Sequence, residues 1–119
     1  MEEVKMKLNE MAGAVMDPDY LVRQAREKAM AGDHTTAVNY LKKAIEANPR
    51  YIEAHTLLAN CQDCLGQNEE AIASYDKALQ IDPGHADAWF SKGMVLKKTG
   101  QIKESVQCIE KSIDLYCGR

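Results

Sequence analysis

A 34-residue period runs through this chain and restricts its fold more than any other feature. Gly32, Gly66 and Gly100 are separated by this interval. Columns of small residues recur at the same offset: Ala25, Ala59 and Gly93; Ala37, Ala71 and Ser105; Ala44, Ala78 and Ser112. So do columns of larger apolar residues: Val38, Ile72 and Val106; Leu41, Tyr75 and Ile109; Ile45, Leu79 and Ile113. Agreement of so many columns at one offset predicts a tandem repeat array.

Each unit is predicted to be an antiparallel helical hairpin. Two stretches of helical periodicity flank the glycine, and the larger apolar columns have the three-four spacing of one helix face. The glycine is expected to end the first helix in a left-handed conformation, which a residue without Cβ adopts without a clash. Asp33 and Asn68 are the residues predicted to cap the second helix of their units.

Over residues 18–119 the chain resembles the tetratricopeptide repeat (TPR) family. The central unit carries most of the family pattern, in Leu58, Ala59, Gly66, Ala71, Tyr75, Ala78 and Pro83. The family's tryptophan is present in the third unit as Trp89, and His55 replaces it in the second. The resemblance implies an all-α, right-handed superhelix of three helix-turn-helix units, at 18–51, 52–85 and 86–119.

The resemblance further implies a non-catalytic protein-interaction scaffold whose first helices line a concave groove. At the family's groove positions stand Val22, Arg26, Met30, Thr56, Asn60, Asp63, Phe90, Met94 and Lys97. Phe90 and Met94 offer adaptable apolar contact, and the amide of Asn60 could pair with a peptide backbone. The alternative for Phe90 and Met94 is that they pack inside their own hairpin.

Acidic residues occupy the second position of each unit, as Asp19, Glu53 and Asp87. They could attract a basic partner, or they could only stabilise the helix dipoles. One branch of the family grips the C-terminal carboxylate of chaperones with lysine, asparagine and arginine. The matching positions here are Val22, Arg26, Leu57, Asp87 and Ser91. Because only one of these is basic and one is acidic, a chaperone tail is not the expected partner.

Composition favours a single domain and argues against several other classes of function. The chain has 119 residues, of which 45% are hydrophobic and 28% charged, and its net charge is −3. Acidic and basic residues are interspersed, so no basic stripe for nucleic acid is expected. No apolar stretch approaches the ~20 residues that cross a bilayer, and no signal sequence is evident. These features predict a cytoplasmic protein that binds neither nucleic acid nor membrane.

No catalytic, metal or cofactor site is expected. Cys61 and Cys64 form a C-x-x-C pair in the middle of a helix, without a second such pair to complete a zinc site. The three histidines, His34, His55 and His85, have no nucleophile at a recognisable spacing, and no glycine-rich phosphate loop occurs. A structural role for these residues is favoured over an enzymatic or metal-binding role.

Both ends of the array suggest self-association as a competing function. Val4, Leu8, Met11 and Val15 give residues 2–16 the spacing of an amphipathic helix, so residues 1–17 are predicted as a separate N-terminal helix. It could cap the first unit, dock in the groove or pair with a second chain. At the other end, apolar residues of the last helix would face solvent unless a second copy covered them, as in a homodimer.

Overall fold

Six α-helices account for the part of the chain that the computed structural model describes, residues 17–118. In chain order they are α1 (Pro18–Met30), α2 (His34–Ala47), α3 (Ile52–Cys64), α4 (Asn68–Ile81), α5 (Ala86–Lys98) and α6 (Ile102–Cys117). Each helix packs on the next, which gives the three hairpins α1–α2, α3–α4 and α5–α6. The predicted all-helical repeat array is confirmed. The amphipathic helix predicted over residues 2–16 lies outside the described residues.

The periodic glycines close the first helix of each hairpin in the predicted conformation. The φ angles of Gly32, Gly66 and Gly100 are 85°, 77° and 85°. At the first turn, the Asp33 N–H donates to the Lys28 carbonyl and the Gly32 N–H donates to the Ala29 carbonyl. These two bonds satisfy carbonyls at the helix end that have no partner within the helix. The same turn recurs after α3 and α5, so the period in sequence is a period in backbone geometry.

Of the two predicted caps, one is confirmed and one is wrong. Asp33 caps α2, since its Oδ1 accepts a hydrogen bond from the Thr36 N–H at 3.1 Å. The bonds from Thr36 hold the pKa of the Asp33 carboxyl below its usual value. Asn68 is instead the first residue of α4, and Gln67 stands at the cap position without a side-chain bond. The first turn of α4 still has Glu69 and Glu70, whose charges suit the positive end of the helix.

The small-residue columns lie where the two helices of a hairpin approach each other. Ala37, Ala71 and their equivalents in the alanine columns are fully buried. In the third hairpin a Cβ added to Gly93 would stand 2.8 Å from Cγ1 of Ile109. The Ser105 hydroxyl also donates to the Gly93 carbonyl at 2.7 Å. Small side chains in these columns therefore set the distance between the helices.

The loop between two hairpins accepts a hydrogen bond from the helix that follows it, and two different residue types donate this bond at the same position of the repeat. The Trp89 Nε1–H donates to the carbonyl of Pro83, six residues earlier, at 2.8 Å. His55 occupies the same position in the second unit, and its Nε2 lies 2.8 Å from the carbonyl of Pro49. Because a carbonyl only accepts, Nε2 carries the proton. The histidine thus replaces the tryptophan as the donor to the loop between hairpins.

Candidate binding groove

The first helices of the hairpins form one side of the array. α1 contacts α3, and α3 contacts α5, in addition to the contacts within and between consecutive hairpins. Within residues 17–118 the second helices α2, α4 and α6 make no such contacts with one another. Helices that touch on one side and separate on the other give a curved stack. The surface of α1, α3 and α5 is therefore concave, and we call it the inner face.

Most of the predicted groove residues are accessible, but Val22 is not. Arg26, Met30, Asn60, Phe90, Met94 and Lys97 are exposed, and Thr56 and Asp63 are partly exposed. Phe90 and Met94 retain 46% and 40% of their surface, so they are not packed inside their hairpin. Val22 is only 1% exposed and belongs to the core cluster of the first two hairpins. The prediction that Val22 lies open in a groove is wrong, because the fifth position of α1 is covered by its neighbours.

Two of the predicted groove charges are used to hold adjacent hairpins together. Arg26 on α1 forms an ion pair with Glu53 on α3. Asp63 on α3 forms an ion pair with Lys98 on α5. Exposed pairs of this kind contribute ~0–1 kcal/mol each. A ligand that used either charge would have to displace this internal partner.

The acidic residue at the start of α1 is also engaged. The Tyr51 hydroxyl donates to Oδ1 of Asp19 at 2.7 Å, which joins the first hairpin to the start of the second. This hydrogen bond, together with burial and the nearby carboxylate charge, raises the pKa of Tyr51. Of the three acids in the predicted row, Asp19 and Glu53 therefore have partners in the neighbouring hairpin. Asp87 has no hydrogen bond or ion pair with another side chain in the described part of the chain.

Asn60 is oriented by a buried tyrosine. The Tyr75 hydroxyl donates to Oδ1 of Asn60. Tyr75 is only 2% exposed, and burial raises its pKa to about 12, so the phenol remains protonated and continues to donate at neutral pH. With Oδ1 accepting this bond, the two N–H donors of the Asn60 amide are left for other partners. Asn60 therefore presents donors at the inner face in a fixed orientation.

A polar cavity of about 280 Å³ lies between α3 and α5 at this asparagine. Its lining residues are Thr56, Asn60, Tyr75, His85, Asp87, Ala88 and Ser91. His85 is held in place because its Nδ1 accepts a hydrogen bond from the Ala88 N–H at 3.1 Å, which caps α5. The cavity brings together two predicted groove residues, Thr56 and Asn60, with groups from α4, from α5 and from the residue that precedes α5.

Sequence reasoning missed the contributions of Tyr75, His85 and Ser91 to this cavity. Tyr75 was assigned to an apolar column, although a buried phenol needs a hydrogen-bond partner and so indicates a polar neighbour. Ser91 stands at one of the family's ligand-gripping positions, but its residue type differs from the lysine, asparagine or arginine expected there. His85 carries no such signal, because only the packing of α5 on α3 brings it to the cavity.

The two cysteines of the C-x-x-C pair differ in exposure. Cys61 is buried and Cys64 is exposed, and all four cysteines are free. Burial, with a smaller contribution from Cys64, raises the pKa of the Cys61 thiol to about 11. No group of three or more His, Cys, Asp or Glu side chains with the geometry of a metal site occurs within residues 17–118.

Models of known protein families match the repeats of this chain. Family models described as tetratricopeptide or TPR repeats match residues 28–73, 65–100 and 86–116. The chain is a tetratricopeptide repeat protein. Repeats of this family are generally non-catalytic scaffolds, so the chain is a protein-interaction module by family. No helix described here combines the length and the apolar character that crossing a membrane requires.

This chain matches only part of several longer proteins. The small glutamine-rich tetratricopeptide repeat-containing protein 2 of Mycosarcoma maydis is 32% identical over 89 residues, which are 74% of this chain and 25% of that protein. Several other curated relatives are matched over about a tenth of their length. The chain therefore corresponds to one segment of these relatives.

Solved structures show the same arrangement of helices. The crystal structure of MamA superposes with a TM-score of 0.83 at 24% identity, covering 86% of this chain and 60% of MamA. The second TPR of Spaghetti (RPAP3), bound to an HSP90 peptide, superposes with a TM-score of 0.81 at 17% identity. That match covers 89% of this chain and 98% of the RPAP3 structure. At these identities the likeness establishes the fold.

Proposed function

We propose that this TPR protein works in the cytoplasm as a scaffold that binds a segment of another protein on its inner face. The observation that carries the proposal is the polar cavity between α3 and α5, where Asn60 is oriented with its N–H donors unused. A peptide backbone offers carbonyl acceptors that such an amide can bind. The RPAP3 structure, in which a protein of the same fold is bound to an HSP90 peptide, supports peptide binding by this fold.

Apolar contact is available beside the cavity. Phe90 and Met94 follow each other at helical spacing on α5 and are exposed. Exposed aromatic and methionine side chains contribute to binding surfaces because they bury large area and adapt to different partners. A bound segment would then place polar backbone at Asn60 and apolar side chains on α5.

The test is a selection of random dodecapeptides displayed on phage against the immobilised full-length chain. We expect selected peptides to bind the unmodified chain and to lose binding to the double variant Asn60→Ala with Phe90→Ala. Asn39→Ala is the matched control, because Asn39 is an exposed asparagine on α2, away from the inner face. Circular dichroism must show unchanged helical content, since loss of Asn60 removes the acceptor of the buried Tyr75 hydroxyl. Equal binding to the double variant would refute the inner face as the binding site.

A second candidate function, self-association, is favoured by a specific observation at the end of the array. Val38 and Leu79 are each 8% exposed, whereas Val106 and Ile113, in the same columns of the third unit, are each 47% exposed. In the first two units the next hairpin covers these columns wholly or in part, since their other members, Ile45 and Ile72, are partly buried. The apolar face of α6 is thus uncovered among the described residues, and we propose that a second copy of this chain covers it.

Light scattering on the full-length chain under reducing conditions tests this candidate. We expect a dimer that becomes a monomer in the variant Val106→Asp, because a charge would be buried in the contact. Val4→Asp introduces the same charge in the N-terminal segment and tests that segment as the contact. A dimer lost only in Val4→Asp would assign the contact to the N-terminal segment, and a monomer throughout would refute self-association.

A further inference from the structure

The junction between the first two hairpins shows how the array neutralises an acid on its inner face. Glu53, the second residue of α3, pairs with Arg26, the ninth residue of α1. Both side chains are 47% exposed, so the pair lies on the surface rather than in the core. The arrangement joins a fixed position of one unit to a fixed position of the next.

The second junction has the same backbone positions but lacks the cation. Asp87 is the second residue of α5, and Asn60 is the ninth residue of α3. The carboxylate is therefore retained, while a neutral amide stands where the guanidinium would be. Two lysines of α5 do not replace it, since Lys92 pairs with Asp76 at 2.6 Å and Lys98 pairs with Asp63. By comparison with the first junction, the second lacks one positive charge.

The space at this position suits the end of a basic side chain. The cavity between α3 and α5 has a volume of about 280 Å³ and is lined by Asp87 together with the hydroxyl-bearing side chains of Thr56 and Ser91. Carboxylate and hydroxyl oxygens accept hydrogen bonds from guanidinium or ammonium groups. A ligand could thus supply both the missing charge and the donors for these acceptors.

We propose that the cavity binds a lysine or arginine side chain of the partner, with its cation against Asp87. This inference rests on the proposed function of the inner face and adds the chemistry of the ligand to it. The partner is then a protein segment that carries a basic residue, flanked by apolar residues that reach Phe90 and Met94.

The experiment uses two small probes and the full-length chain labelled with ¹⁵N. The probes are Nα-acetyl-arginine amide and Nα-acetyl-citrulline amide, which have similar shapes but differ in charge. At low salt we expect arginine amide to shift the amide signals of residues 56–60 and 85–91, with at least about fivefold higher affinity than citrulline amide. Asp87→Asn should reduce the affinity for arginine amide to that for citrulline amide. Equal affinities of the two probes for the unmodified chain would overturn the proposal.

A second variant tests the repeat comparison itself. Asn60→Arg should recreate the Arg26–Glu53 arrangement within the chain and so abolish binding of arginine amide. Asn39→Arg adds the same charge on α2 and is expected to retain binding. A dispersed spectrum like that of the unmodified chain shows that each variant is folded. Undiminished binding to folded Asn60→Arg would refute the inference that the partner's cation takes the position that Arg26 occupies in the first junction.

The experiments distinguish failure of the basic-residue proposal from failure of the proposed peptide binding on the inner face. If dodecapeptides that depend on Asn60 and Phe90 are selected but carry no lysine or arginine, the groove function stands and the basic-residue proposal fails. If no peptide depends on those residues while arginine amide still binds at Asp87, the groove function fails and the cation site stands.

Discussion

Replacing Gly93 by alanine should destabilise the third hairpin, although alanine is the better helix former. The added Cβ would stand 2.8 Å from Cγ1 of Ile109, 3.1 Å from the backbone oxygen of Ser105 and 3.3 Å from Cβ of Cys108. A backbone oxygen cannot rotate away as a flexible side chain can. The helices must therefore separate, and the Ser105 hydroxyl would lose its 2.7 Å bond to the Gly93 carbonyl in doing so.

The size of the effect follows from two opposing contributions. Alanine is favoured over glycine within a helix by ~0.8–1.0 kcal/mol. Overpacking a close contact costs ~1–3 kcal/mol. The expected net loss in the free energy of unfolding is about 1 kcal/mol, which for a chain of this length corresponds to roughly 4 °C in melting temperature.

The internal repeats supply a compensating substitution. The pair Gly93 and Ile109 occupies the columns of Ala25 and Leu41 in the first unit, where alanine is accommodated beside a side chain that is not branched at Cβ. Ile109→Leu combined with Gly93→Ala should therefore recover part of the lost stability.

Urea denaturation followed by circular dichroism measures both variants. Gly84→Ala is the matched control, since its added Cβ would meet only Oδ1 of Asp82, at 3.4 Å, and it should be neutral or slightly stabilising. A stabilised Gly93→Ala protein, or a double variant no more stable than the single one, would show that the close contact is not what requires glycine.

Three further predictions concern other parts of the array. Gly66→Ala, at a φ of 77°, should lower the free energy of unfolding by ~1–2 kcal/mol in urea titrations, and an unchanged midpoint would contradict the left-handed turn. His55→Phe should lower the free energy of unfolding by about 1 kcal/mol in the same assay, because the carbonyl of Pro49 loses its 2.8 Å partner; a fully stable variant would show that this bond does not stabilise the stacking of the repeats. At pH 8 a maleimide should label exposed Cys64 rapidly while Cys61, buried and with a pKa of about 11, reacts only on unfolding; mass spectrometry of the labelled peptides would reveal the reverse order.

The elements that depend on local chemistry were predictable from the sequence. The glycine turns could be predicted because a left-handed helix end requires a residue without Cβ. The cap at Asp33 could be predicted because its carboxylate accepts a hydrogen bond from a backbone N–H three residues later. The cap at Asn68 could not be predicted, because two residues of similar chemistry, Gln67 and Asn68, compete at that boundary. Val22 was misplaced because family position alone does not say how closely the next helix covers it.

The sequence alone determined the repeat, its helical hairpins and the family, since these follow from periodicity and from residues that interact within a few positions of each other. Only the tertiary structure decided which inner-face charges are free. Arg26 and Asp63 are each engaged by a residue of the next hairpin, and Asn60 is oriented by Tyr75. Asp87 remains without such a partner in the described chain. These pairings join residues of different helices, so the distances that create them arise only when the hairpins stack.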